Sequence, residues 1–241
     1  MRAETRHQLK EDRFSKAALE AAEKTVDWTQ EHQGKLIVAA VALIVIAAIA
    51  TGGWYYVNTQ DEKASLDLTA AIRTFELPLR PPGTPAQPDY PTFQSSAERA
   101  TAARKQFQQI VDKYSETKTG KMARYFVGLT SAQLGDYTAA ESNLQEAAKS
   151  SNRDLASLGK FALASVYAAE NKGSQAIDLY KQVIDKPTTV VSKAAAQLEL
   201  ASFYESMQKP DEAKKIYEQI QKENPASEVA SLAQRRAMAL K

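Results

Sequence analysis

The sequence predicts an all-α protein: a single N-terminal transmembrane helix followed by an α-solenoid of about three to four helical hairpins. Three observations carry this. Three stretches repeat one pattern: Gly128-Leu129-Thr130-Ser131 leading to Gly135-Asp136-Tyr137-Thr138-Ala139-Ala140, Ala164-Ser165-Val166-Tyr167 leading to Ser174-Gln175-Ala176-Ile177, and Ala201-Ser202-Phe203-Tyr204 leading to Asp211-Glu212-Ala213-Lys214. The alanines Ala140, Ala176 and Ala213 are spaced by 36 and 37 residues, the size of one helix-turn-helix unit. Leu36 to Val57 holds no charged side chain, and six of the nine prolines fall between Pro78 and Pro91.

The apolar segment comes first. Leu36 to Val57 is 22 residues, enough at about 1.5 Å per residue to cross about 30 Å of hydrocarbon. Lys35 stands before it, Trp54-Tyr55-Tyr56 forms an aromatic belt at its end, and Asp61-Glu62 follows. A cleaved signal peptide is the competing reading, with Ala48-Ile49-Ala50 as its cleavage site. It requires an acid-rich n-region of about 35 residues, far from the usual pattern. Lys16, Lys24 and Lys35 on the N-terminal side outnumber Lys63 and Arg73 on the other. The positive-inside bias therefore keeps the N-terminus in the cytoplasm and the repeats outside it.

This divides the chain into a tail (1–35), a span (36–57), a juxtamembrane helix with a proline-rich loop (58–93), and a repeat domain with a C-terminal capping helix (94–241). The tail carries seven basic and seven acidic residues. Phe14, Ala18, Ala22 and Val26 make a thin helical stripe in it, either solvated or laid on a membrane or partner. Beyond the span, Leu66, Ala70, Ile72 and Phe75 give helical periodicity, with no Gly or Pro after Gly53 to separate this helix from the span. The prolines then end it. Two readings of that run stay open: a semi-rigid surface loop, or a ligand for polyproline-binding modules. Ala103, Phe107 and Ile110 match the second-helix pattern of the later repeats. Residues 59–77 and 94–114 are thus expected to form a first, diverged hairpin with the loop at its turn. Hairpins follow at 119–152, 155–188 and 192–225, and 228–240 closes the stack. Pro187 and Pro225 mark helix ends, whereas Pro210 opens a helix, where proline is tolerated.

Composition excludes much chemistry. There is no cysteine, and the only histidines, His7 and His32, precede the span. The repeat domain therefore has no Cys or His nucleophile, base or metal ligand, and an enzyme or cofactor site is not expected there. A net charge of +2 with interspersed signs gives no nucleic-acid footprint.

Hairpin packing needs small residues where helix axes approach. Gly128, Ala164 and Ala201 lie mid-way along the first helices, and Ala140, Ala176 and Ala213 begin the second. Leu144, Tyr180 and Tyr217 follow four residues on, then Ala147, Val183 and Ile220 on the same face. Tyr167 and Tyr204 are expected to fill the matching space from the first helices. This pattern resembles the tetratricopeptide repeat over about residues 119–227, closest at Gly135-Asp136-Tyr137 and Asn224-Pro225. The period exceeds the family's 34 residues, so longer interhelix loops are expected.

The order of the whole chain carries a second resemblance. Gln33-Gly34-Lys35 before the span, Gly53-Trp54-Tyr55 closing it, and atypical repeats beyond are similar to the ancillary SecYEG translocon subunit (YfgM-like) family. The resemblance implies a single-pass protein of the bacterial inner membrane with periplasmic repeats. It also implies partners among translocon components, a membrane-anchored periplasmic chaperone and client polypeptides. A scaffold for envelope assembly or cell division would share the topology with other partners.

In stacked hairpins of this type the first helices line a concave face. Met122, Tyr125, Leu129, Leu158, Phe161, Ser165, Leu198 and Ser202 are expected there, with Met122, Tyr125, Leu129, Leu158, Phe161 and Leu198 as the partner-binding candidates. None of these positions is Lys or Arg, so the basic clamp with which some family members hold acidic C-termini is absent. Such a face would suit apolar segments. The alternative is that these side chains are simply core.

Overall fold

The computed structural model describes residues 16, 32–81, 83–84, 92–223 and 225–240. The tail stripe at Phe14, Ala18, Ala22 and Val26, and most of the proline run, lie outside them. The described fold is all-helical: α1 (Gln33–Glu76), α2 (Ser96–Tyr114), α3 (Lys118–Gln133), α4 (Tyr137–Ala148), α5 (Arg153–Ala169), α6 (Gly173–Asp185), α7 (Lys193–Ser206), α8 (Pro210–Glu223) and α9 (Glu228–Ala239). The chain divides into two compact units, 1–56 and 57–241.

The described part of the first unit is the apolar stretch of α1. Its large side chains, among them Val38, Leu43, Ile44, Ile49 and Trp54, all face outward. It is the one helix among the described residues long and apolar enough to cross a membrane.

The second unit is built from paired helices. Residues 57–76 of α1 pair with α2 through Ala64, Leu68, Ala71 and Phe75, which meet Ala103, Phe107 and Ile110. Phe75 stands edge-on to Phe107, with ring centres 6.3 Å apart, and Phe107 stacks on Phe126 at 4.9 Å. The expected stripe was partly wrong. Leu66 is 74% exposed and Ala70 faces out, because the buried face runs through 64, 68, 71 and 75, about half a turn away. At the loop, Leu79 and Phe93 form an isolated bridge, Arg80 donates its amide to the Phe93 carbonyl at 2.8 Å, and Arg99 donates to the Leu77 carbonyl. These contacts hold its two ends together.

Three hairpins follow: α3 with α4, α5 with α6, and α7 with α8. The small residues sit as their spacing requires. Ala140, Ala164, Ala176, Ala201 and Ala213 are fully buried, as are Leu144 and Tyr217, and Tyr180 is nearly so. A Cβ on Gly128 would lie 2.6 Å from Leu144 Cγ, so the α3–α4 approach needs glycine. Gly159 is more tightly constrained, since its Cβ would overlap the Ala148 backbone across the next interface. Tyr167 is buried, and Tyr204, half-buried, packs on the third hairpin's cluster of Ala213 and Tyr217, while its neighbour Phe203 joins the central cluster with Tyr167 and Tyr180.

Each hairpin turns through a three-residue link centred on a left-handed residue: Gly135 (φ 76°), Asn171 (φ 60°) and Gln208 (φ 57°). The hydrogen bonds are the same in all three. Asp136, Lys172 and Lys209 donate to the carbonyls of Ser131, Tyr167 and Tyr204, the long bond of a Schellman motif. The extra period therefore does not lengthen these turns, contrary to expectation. In the period from Ala176 to Ala213 the extra length falls instead in the interhelix segment 186–192 between the second and third hairpins, where Val191 is buried against Val183 and Ala196. First helices open on side-chain caps from Thr117, Asn152 and Ser192, and α9 opens on Ser227. Helix α9 then covers Tyr217 and Ile220 through Ala233.

Candidate functional site

The first helices α3, α5 and α7 turn their small residues toward the second helices. This leaves a neighbouring stripe of larger side chains at the edge of the core. All six partner-binding candidates, Met122, Tyr125, Leu129, Leu158, Phe161 and Leu198, lie in this half-buried stripe. They are neither free surface nor sealed interior.

They do not form one patch. Tyr125, Leu129 and Phe161 pack on the central cluster of Ala140, Leu144, Leu163, Tyr167 and Tyr180. Phe161 and Leu158 also border the small cluster around Val191, while Leu198 belongs to the cluster closed by α9. Met122 stands apart, in a cavity of about 420 Å3 with Leu68, Leu155, Lys118 and Lys121. Of the two further positions, Ser165 is exposed and Ser202 half-buried.

Aromatic geometry fixes the central part. The Phe161 ring stands edge-on to Tyr180 with centres 5.9 Å apart, and the Tyr180 hydroxyl lies 3.0 Å from Ser165 Oγ. Tyr125 stands edge-on to Phe126 at 5.3 Å. Burial raises the Tyr125 and Tyr180 hydroxyls above their ordinary pKa, so both stay protonated donors at neutral pH. The stripe thus offers rigid aromatic edges with a few polar tips, a combination suited to protein contacts.

Two features escaped sequence reasoning. Leu68 of α1 and Leu155 of α5 complete the apolar wall beside Met122. Lys121 and Arg124 border a second cavity of about 310 Å3 together with Glu116 and Glu146. The α3 end of the face therefore carries cations, although the eight expected positions hold none. The signal was available in Lys121 and Arg124, which flank Met122 on one helical turn.

Ionic contacts hold the opposite edges of the hairpins. Lys172 Nζ donates to Glu141 at 2.7 Å and forms an ion pair with Glu170 at 3.1 Å. The Tyr167 hydroxyl donates to Glu141 at 3.1 Å. The hydrogen bond from Lys172 is the main reason the Glu141 carboxyl is held below its ordinary pKa. Comparison of the chain with curated proteins and with solved structures gives no match. A family model described as a tetratricopeptide repeat-like domain matches residues 27–219. With paired helices, small residues buried where they meet and a match over most of its length, the chain belongs to the tetratricopeptide repeat-like family.

Proposed function

We propose that this protein is a membrane-anchored scaffold of the bacterial inner membrane that docks proteins of the export pathway on its periplasmic repeats. The observation that carries the reading is the half-buried apolar stripe along α3, α5 and α7. Repeat domains of this family are interaction surfaces, and a tethered one raises the local concentration of its partners at the membrane. The exposed, uncharged stretch of α1 supports the anchor, and Lys16, Lys24 and Lys35 support a cytoplasmic N-terminus.

Its partners in this reading are translocon components, a periplasmic chaperone and client polypeptides, as the order of tail, span and atypical repeats implies. Recognition works by shape and apolar complementarity, with Tyr125, Leu129 and Phe161 as the central contacts and Met122, Leu158 and Leu198 around them. The proposed role is non-catalytic.

The absence of cysteine makes the topology directly testable. One cysteine is placed near the N-terminus and, separately, one near Lys241, and intact spheroplasts are treated with a membrane-impermeant thiol reagent. Labelling of the C-terminal site alone is expected. Labelling of the N-terminal site alone overturns the periplasmic placement and the export reading with it.

A further inference from the structure

Each first helix opens on a basic side chain directly after its cap: Lys118 after Thr117, Arg153 after Asn152 and Lys193 after Ser192. The helix macrodipole favours the opposite sign at that place. Helices α2, α8 and α9 follow the preference, with Glu98, with Asp211 and Glu212, and with Glu228 in their first turns. A local preference broken at the same position in three repeats serves something outside the helices. Lys149 and Lys186, on the links that precede α5 and α7, add charge to the same end.

The three links that precede first helices, each with the residue that follows it, thus carry five cations (Lys118, Lys149, Arg153, Lys186, Lys193) against one acid (Glu116). Asp154 and Asp185, one residue further in, leave the balance positive. The three hairpin turns at the other end, counted the same way, are neutral: Asp136 and Glu170 against Lys172 and Lys209. The basic links adjoin one another. Ser150 and Ser151 share a cavity with Lys118 and Lys121, and Arg153 donates to the Pro187 carbonyl at 2.9 Å. Lys118, Lys149 and Lys186 are exposed, and of these three Lys149 alone is ion-paired among the described residues, with Glu146. Between Lys186 and Lys193 stands Val190, a large apolar side chain that is exposed.

This end is tied to the start of the second unit, because Asp61 accepts the Thr119 amide at 2.8 Å. Asp61 lies four residues past Val57, the last residue of the apolar stretch. Four residues reach at most about 14 Å, so chain length alone keeps Lys118 close to where the chain leaves the span. We propose that the basic end of the repeat domain docks on an anionic phospholipid surface, with Lys118, Lys149, Arg153 and Lys186 against headgroup phosphates and Val190 entering among them. The inference rests on the membrane-anchored reading given above. Anionic headgroups attract basic side chains that come within about 8 Å, the Debye length at physiological salt. The tether makes this contact intramolecular, so a few exposed cations suffice.

The test uses the full chain in nanodiscs of phosphatidylcholine alone or of equal parts phosphatidylcholine and phosphatidylglycerol. The chain has no cysteine, so one is placed at exposed Ser151 or Thr189, or at Thr138 beside the first hairpin turn as control, and carries an environment-sensitive fluorophore. With phosphatidylglycerol, emission from 151 and 189 should brighten and move to shorter wavelength, and sodium chloride should reverse this; 138 should not respond. Joint replacement Lys118→Gln, Lys149→Gln and Lys186→Gln should lower the ratio of docked to free domain about fivefold per lysine, and the matching Lys→Arg variant should keep it. Equal emission in the two kinds of disc, no effect of salt, or an equal response at 138 overturns the proposal. So does loss of the signal to inorganic phosphate but not to sodium chloride of equal ionic strength, which would assign the basic end to a free anion. Co-elution with the discs reads the anchor separately. A chain that enters them without a phosphatidylglycerol-dependent signal removes the docking and leaves the anchor standing, whereas one that does not enter them overturns both.

Discussion

Asp61 Oδ1 accepts the backbone N–H of Thr119 at 2.8 Å, across 58 residues of chain. The carboxylate comes from α1 and the amide from the first turn of α3, so the end of one helix is capped by the flank of another. Burial pushes the Asp61 carboxyl up, but the Thr119 amide and hydroxyl, the Thr117 hydroxyl and the Lys118 charge together outweigh it. The net result lies below the ordinary 3.8.

Asp61→Ala should therefore cost about 1 kcal/mol of stability, the usual worth of a helix cap. The folded-state pKa is depressed, so this contribution is complete above the unfolded value near 3.8 and is lost as pH falls through the folded value. Denaturant midpoints of parent and variant should differ at neutral pH and converge below 3.8. A gap that persists unchanged in acid would remove the carboxylate from the account.

The helix interfaces make a graded prediction. Gly128→Ala sets a methyl against the Leu144 side chain, whereas Gly159→Ala sets one against the backbone of Ala147 and Ala148. Side chains yield more readily than backbone. Gly159→Ala should be the more damaging, at about 1–3 kcal/mol for overpacking, with Gly128→Ala below it. Thermal unfolding of the two variants gives the order.

The turns make the opposite kind of prediction. Gln208 holds φ 57° with a side chain that disfavours it, in the role that Gly135 fills at φ 76°. Gln208→Gly should stabilise by about 0.5–1 kcal/mol, and Gly135→Ala should destabilise by a similar amount. Matched denaturation curves would show both signs.

The ion network is checked by titration. Lys172 is the first cause of the low Glu141 pKa, ahead of the opposing effect of burial and the Tyr167 hydroxyl. Lys172→Ala should raise the Glu141 titration, read by carboxyl NMR, with the fold unchanged. An unmoved titration would show that the 2.7 Å contact is not held in solution.

Much of the hairpin architecture was legible because close helix approach tolerates few residues. Ala140, Ala176 and Ala213, with Leu144, Tyr180 and Tyr217 four residues on, could be read directly and are buried. The α1–α2 pair was harder. Apolar residues lie on more than one side of α1, so Leu66 looked like core and Ala64 did not, until α2 showed which face is covered. Gly159 was not legible although it aligns with Ala123 and Ala196, because the repeat pattern marks contacts within hairpins, and its tight approach is to Ala147 and Ala148 of the preceding one. The first-helix stripe was legible as a set of helix positions but not in its division among clusters. That division depends on where Val191 and α9 insert.

The central claim is that the first-helix stripe receives proteins of the export pathway at the membrane. Photo-crosslinking amino acids placed at Tyr125 and Phe161 in intact cells, with exposed Glu218 on α8 as control, test it most directly. The account predicts that both stripe positions, and not Glu218, give adducts identified by mass spectrometry as translocon subunits, a periplasmic chaperone or exported clients. Adducts at Glu218 with none at Tyr125 or Phe161, or stripe adducts confined to envelope-assembly or division proteins, would contradict it.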